Sequence, residues 1–254
     1  MRRAHTQAAL ALGVAIALGV EAFAQRGEGP PAPPPTPRAA APVDLTGNWV
    51  SVVTEDWRWR MVTPRKGDYS SVPLSAEGRK VADAWDPARA AEDGCRAYGA
   101  AGVMRIPGRL RVSWANDATL KIETDAGLQT RLFDFDTTRR PGGRAWQGHA
   151  VAEWERLVSL GGLGVSLQTA PPRIGSLKVV TTNLRPGYLR VNGVPYSDET
   201  TVTEYFDRIT EDGTDWLTVL TIVEDPRYLG QPFITSSHFK REPDGTKWMP
   251  RPCE

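Results

Sequence analysis

Four successive runs of alternating apolar and polar residues fill the last third of the chain, at residues 176–183, 200–209, 215–223 and 233–239. β-Branched and aromatic side chains dominate them, a composition suited to a pleated surface with one buried face. Turn residues separate the runs, and Asp225-Pro226 most simply ends one of them. Together they predict an antiparallel meander.

The upstream body extends this reading. Residues 47–62 read as a first strand with Trp49, Val53, Trp57, Trp59 and Met61 on one face and Arg58 and Arg60 on the other, interrupted at Thr54-Glu55-Asp56. Residues 75–85 have helical spacing: Leu74, Val81, Ala82 and Trp85 form a narrow apolar stripe behind a Ser75 cap, and Asp86-Pro87 stops it. Strands resume at 103–106, 109–114, 118–124, 128–135 and 146–158, with turn signals at Asn116-Asp117 and 125–127. A polar loop at 136–144 and a Gly/Pro-bearing loop at 161–173 complete the chain, and loops of the latter length are often functional. About eight to ten strands against one short N-terminal helix make an all-β domain, closed as an antiparallel barrel or, as the alternative, built as a two-sheet sandwich.

The N-terminus divides differently. Residues 1–24 carry Arg2-Arg3, an apolar run from Ala8 to Val20 and Ala22-Phe23-Ala24, the parts of a cleaved secretory signal peptide. Residues 25–42 are dense in Pro and Ala and read as a semi-rigid linker, leaving 43–254 as a single barrel domain. The expected location is periplasmic or secreted, with no membrane association after cleavage. The 31 basic and 30 acidic side chains nearly cancel, and no basic stripe argues for nucleic acid. In an exported chain the two cysteines, Cys95 and Cys253, are placed where a disulfide persists; two unpaired buried thiols are the alternative.

Gly47-Asn48-Trp49 resembles the Gly-x-Trp signature of lipocalins, whose tryptophan plugs the closed end of a barrel, and Thr214-Asp215-Trp216 is loosely similar to that family's Thr-Asp-Tyr turn. Over about residues 44–254 the chain also resembles a group of exported bacterial proteins without an assigned reaction. The shared features are Gln147-Gly148 through Trp154-Glu155, Leu177-Lys178-Val179-Val180-Thr181, Gly193-Val194-Pro195-Tyr196-Ser197, Glu204-Tyr205-Phe206-Asp207-Arg208, Asp225-Pro226 through Phe233, and Cys253. These resemblances imply export and a lipocalin-like β-barrel, and no chemistry.

Candidate chemistry therefore rests on side chains. Glu204, Phe206 and Arg208 project to one face of a strand; inside the barrel they would orient a carboxylate, phenol or hydroxyl, and outside they would be a surface ion pair of little energetic worth. His149, with a carboxylate such as Glu153 or Glu155, is a candidate general base, although lone strand histidines are commonly structural. Trp57, Arg58 and Trp59 could stack a ring and meet a carboxylate, or fill and cover a barrel end. Trp154 and Tyr196 complete the candidate ligand contacts. Phosphate loops, nucleophile elbows, cofactor fingerprints and metal-ligand spacings are missing, so neither cofactor nor metal is expected. The leading reading is a carrier of a small apolar or aromatic ligand. A cofactor-free lyase, isomerase or hydratase acting on a small substrate, with Glu204, His149 and Arg208 at its centre, is the second, and a cell-envelope interaction module the third.

Overall fold

The computed structural model describes residues 33–156 and 175–253, with backbone alone for residues 89–93 and 156. The segment expected to be a signal peptide and the 161–173 loop lie outside the described residues. Nine strands close into a barrel: β1 Gly47–Val52, β2 Arg109–Asn116, β3 Thr119–Thr124, β4 Thr130–Asp134, β5 His149–Arg156, β6 Gly175–Thr182, β9 Thr201–Glu211, β10 Thr214–Glu224 and β11 Phe233–Glu242. The strands β7 Gly187–Arg190 and β8 Val194–Tyr196 form a separate hairpin. The barrel runs in chain order and closes by pairing β1 with both β2 and β11, which removes every free edge of the ring.

Neighbouring strands are antiparallel with one departure from the expected meander. β4 and β5 pair in parallel, Phe133 opposite Ala150 and Asp134 opposite Val151. A parallel pair requires the chain to travel back along the barrel before the second strand begins. The polar stretch 136–144 belongs to that return, and it is pinned where Ala145 bridges Leu184.

Alternation sets the interior. In β9 the buried positions are Val202, Glu204 and Phe206; in β10 they are Leu217, Val219, Thr221 and Val223; in β11 they are Phe233, Thr235, Ser237 and Phe239. Register then stacks Phe206 against Leu177 on one side and Val219 on the other. With Trp49, Leu110, Val112, Leu120, Ile122 and Phe133 these side chains form one continuous core. The barrel interior is thus packed with side chains.

Two segments close the ends. At the base, residues 35–46 fold onto the barrel: Arg38 N–H donates to Asp117 O at 3.1 Å, and Trp49 Nε1 donates to Leu45 O at 3.0 Å. The Pro/Ala-rich segment expected to act as a tether as far as residue 42 is therefore part of the fold from Pro35. Its prolines, Pro35, Pro37 and Pro42, each remove a backbone donor, which suits it to lie along a barrel end.

The apical end carries a helical cap. It contains α1 Trp57–Arg60, α2 Ala76–Asp83, α3 Pro87–Ala90, two 3₁₀ segments at Ala91–Tyr98 and Val103–Arg105, and the β7–β8 hairpin. The α2 helix follows the sequence pattern, with Ser75 Oγ accepting from Gly78 N–H at 3.0 Å. Two expected strands do not form. The strand predicted to run to residue 62 stops at Val52, because Asp56 adopts a left-handed conformation, φ 52°, and turns 57–60 into a helical turn. Residues 103–106, also expected as a strand, make a tight 3₁₀ turn that buries Val103, Met104 and Arg105 consecutively, which an alternating strand cannot do on one face.

Candidate functional site

Glu204 points into the barrel. Its carboxylate is fully buried and faces the Arg131 guanidinium of β4 in a bidentate pair, with Nη1 to Oε1 at 2.9 Å and Nη2 to Oε2 at 2.5 Å. Arg131 also donates to Thr181 Oγ1 at 3.4 Å, and its Cζ lies 4.9 Å from the Phe133 ring centre. Phe133 and Phe206 close the pair from the apolar side, their rings 5.2 Å apart. The geometry is that of a bidentate interior ion pair in a low-dielectric site, with Arg131 Nε left without an acceptor among the described residues.

The residues predicted to work with Glu204 are elsewhere. Arg208 shares the inward parity of β9 but lies at the basal end, partly exposed, where it donates to Asp215 Oδ2 and to Asp44 O, each at 2.7 Å. Asp215 also accepts from Thr210 at 2.6 Å and Arg241 at 3.3 Å, and the Thr210 bond leads in holding its carboxyl below the usual range. His149 opens β5 opposite Thr182, on the outward face between the inward Ala150 and the turn before it. His238 meets Glu55 Oε2 at 3.1 Å and Thr54 Oγ1 at 3.0 Å near the apical end of β11.

The aromatic candidates separate to opposite ends. Trp154 is basal. Its Nε1 donates to Pro37 O at 2.9 Å, and its ring lies 6.4 Å from Trp114 and 5.5 Å from Phe135, which stacks on Trp114 at 5.7 Å. Beneath this cluster, between it and residues 38–46, is a cavity of about 380 Å³ lined by Trp114, Trp154, Leu120, Val43, Arg38 and Asp44 among others. That volume falls within the range of sites for small organic ligands.

Trp57, Arg58 and Trp59 are apical, on α1. Trp57 is exposed, whereas Trp59 Nε1 donates to Asp68 Oδ1 at 3.2 Å and Arg58 pairs with Asp68 Oδ2 at 3.0 Å. The side-chain bond from Trp59 leads in holding Asp68 below the usual carboxyl range. The face shared by Trp49, Trp57 and Trp59 in an unbroken strand does not exist, because α1 rotates the latter two away from β1. Tyr196, expected among the ligand contacts, is instead fully buried in the cap core on β8. Burial pushes its hydroxyl well above the ordinary tyrosine value.

Cys95 and Cys253 are disulfide-bonded across a sequence separation of 158. Among the described residues no group of three or more His, Cys, Asp or Glu side chains is placed to hold a metal, and no helix is long and apolar enough to cross a membrane. Sequence reasoning missed Arg131, Trp114, Phe135, Arg38 and Asp44. The alternation of Leu110, Val112 and Trp114 puts Trp114 on the face of two apolar residues, a signal that could have found it; nothing in the sequence pairs Arg131 with a carboxylate 73 positions away. No protein-family model matches the chain, and no match emerges among curated proteins or solved structures.

Proposed function

We propose that this protein is an exported binder of a small, flat aromatic molecule, held at the base of the barrel. The observation that carries this reading is the cavity of about 380 Å³ between the 38–46 segment and the rings of Trp114 and Trp154. Edge and face contacts from large aromatic rings favour a ring-bearing ligand. Arg38, Asp44 and Thr46 supply polar contacts at the same site, opposite the faces of Trp114, Leu120 and Trp154. The Cys95–Cys253 bridge suits an oxidising compartment and so supports the export inferred from residues 1–24.

Titration of the mature protein with the neutral bicyclic probe 2-naphthol, read by tryptophan fluorescence, tests the site. Saturable quenching is expected, and Trp154→Ala is expected to weaken it by about tenfold, the scale of losing one aromatic contact. Absence of quenching, together with no small molecule retained in native mass spectra of protein from its own host, would overturn the reading.

A further inference from the structure

The apical cap holds an excess of buried cationic side chains. Arg60, Arg105 and Arg190 are each at least nine-tenths buried, yet they come from three separate elements and border one cavity of about 160 Å³. Arg60 donates from Nε to Arg105 O at 2.8 Å and from Nη1 to Glu55 at 2.6 Å; Arg105 donates from Nη2 to Asp56 at 2.7 Å. Arg190 donates from Nη2 to Ser71 Oγ at 2.7 Å, and its Cζ lies 5.1 Å from the Trp59 ring centre.

Around the cavity Glu55 pairs with Arg60 and Asp56 with Arg105, and Asp68 pairs with Arg58. Arg190 forms no ion pair among the described residues. Among these seven groups the guanidiniums outnumber the carboxylates by one, and Asp56 and Asp68 are the carboxylates whose charge reaches Arg190. Moreover Arg60 Nη2, Arg105 Nη1 and both Nε and Nη1 of Arg190 are buried donors without an acceptor among the described residues. A buried guanidinium with idle donors is costly unless an anion meets it. Burial, followed by the neighbouring charge of Arg105, pushes Arg190 down to about 10, as expected where cations crowd together.

We propose that the apical cavity is a second binding site, for a small organic monocarboxylate clasped by Arg190 with the free edges of Arg60 and Arg105. A single residual charge calls for a monoanion, and the planar fork of a guanidinium matches the two oxygens of a carboxylate. The rest of the ligand is apolar, since Ile106, Pro107, Leu189 and Val191 also border the cavity and Met61 and Val62 stand exposed beside it. An inorganic oxyanion would leave that wall unused.

Isothermal titration calorimetry of the mature chain with sodium benzoate tests this, with benzamide as the uncharged counterpart and inorganic phosphate as the competing anion. The expected result is saturable binding of one benzoate, no binding of benzamide, and weaker binding of phosphate. Arg190→Gln, whose folding is checked by thermal unfolding, is expected to weaken benzoate by about tenfold or more, the scale of a charge-assisted hydrogen bond. Arg190→Lys keeps the charge but loses the fork, and gives a several-fold loss should the Gln variant not fold. Lack of benzoate binding, equal affinity in Arg190→Gln, or tighter binding of phosphate than of benzoate overturns the assignment.

Discussion

Removing the Glu204 carboxylate leaves the Arg131 guanidinium charged inside the barrel with no anion to meet it. Breaking a buried pair from one side costs about 3–5 kcal/mol, so Glu204→Gln should lower the urea-unfolding free energy by that amount. Replacing both partners with apolar side chains, Glu204→Leu with Arg131→Met, should restore stability to wild type or above. If the single and double variants lose the same stability, the pair is not the unit described. Tyr196 is the opposite case. Its hydroxyl is buried without a partner among the described residues, so Tyr196→Phe removes an unsatisfied group and should raise the thermal midpoint, by about 1 kcal/mol equivalent. Residue parity in the sequence placed Glu204, Phe206 and Arg208 on one face correctly. It could not name the partner, because Arg131 reaches Glu204 only through barrel closure, while Arg208 lies four residues further along the strand at the partly open basal end.

Among the elements, the alternating C-terminal strands were the most legible. The sequence runs at 176–183, 200–209, 215–223 and 233–239 correspond closely to β6, β9, β10 and β11. Apolar residues at every second position are enough to fix a strand that has one buried face. The cap was least legible, because a helical turn at 57–60 and a 3₁₀ turn at 103–105 depend on contacts made across the fold, notably Asp56 with Arg105. The disulfide fastens the tail to this cap. Chain-entropy arguments give about 4–5 kcal/mol for closing so long a loop, so Cys95→Ser/Cys253→Ser should unfold at markedly lower urea concentration. A thiol assay of the unreduced wild type should detect no reactive thiol. The β10–β11 turn has its own anchor in Asp225, which accepts from the N–H groups of Ser197, Arg227 and Tyr228 and from the Thr200 hydroxyl. Asp225→Asn should cost about 1–3 kcal/mol at neutral pH.

At the level of the whole molecule, pH dependence follows from that anchor. Burial alone would raise the Asp225 carboxyl, but the four hydrogen bonds outweigh it and hold it below its ordinary value of 3.8. A group depressed in the folded state contributes stability that is complete above its unfolded value, near pH 4, and is lost as pH falls through the folded value. The stability gap between wild type and Asp225→Asn, followed by chemical unfolding from pH 7 to pH 2, should therefore be constant above about pH 5 and narrow below pH 4. A gap that widens with acid would contradict the hydrogen-bonded carboxylate.

The all-β class, the strands of the meander, the α2 helix with its Ser75 cap, and which residues of each regular strand share a face can all be read from the order of the amino acids. Those properties depend on neighbours within a few positions, where periodicity and capping act. Tertiary structure alone decided which face is inside, that Arg131 rather than Arg208 neutralises Glu204, and that residues 35–46 cover the base. It also decided that Arg60, Arg105 and Arg190 meet at the apex. Each of these joins side chains far apart in the chain, and only closure of the barrel, with its cap folded over one end, brings them within hydrogen-bonding range.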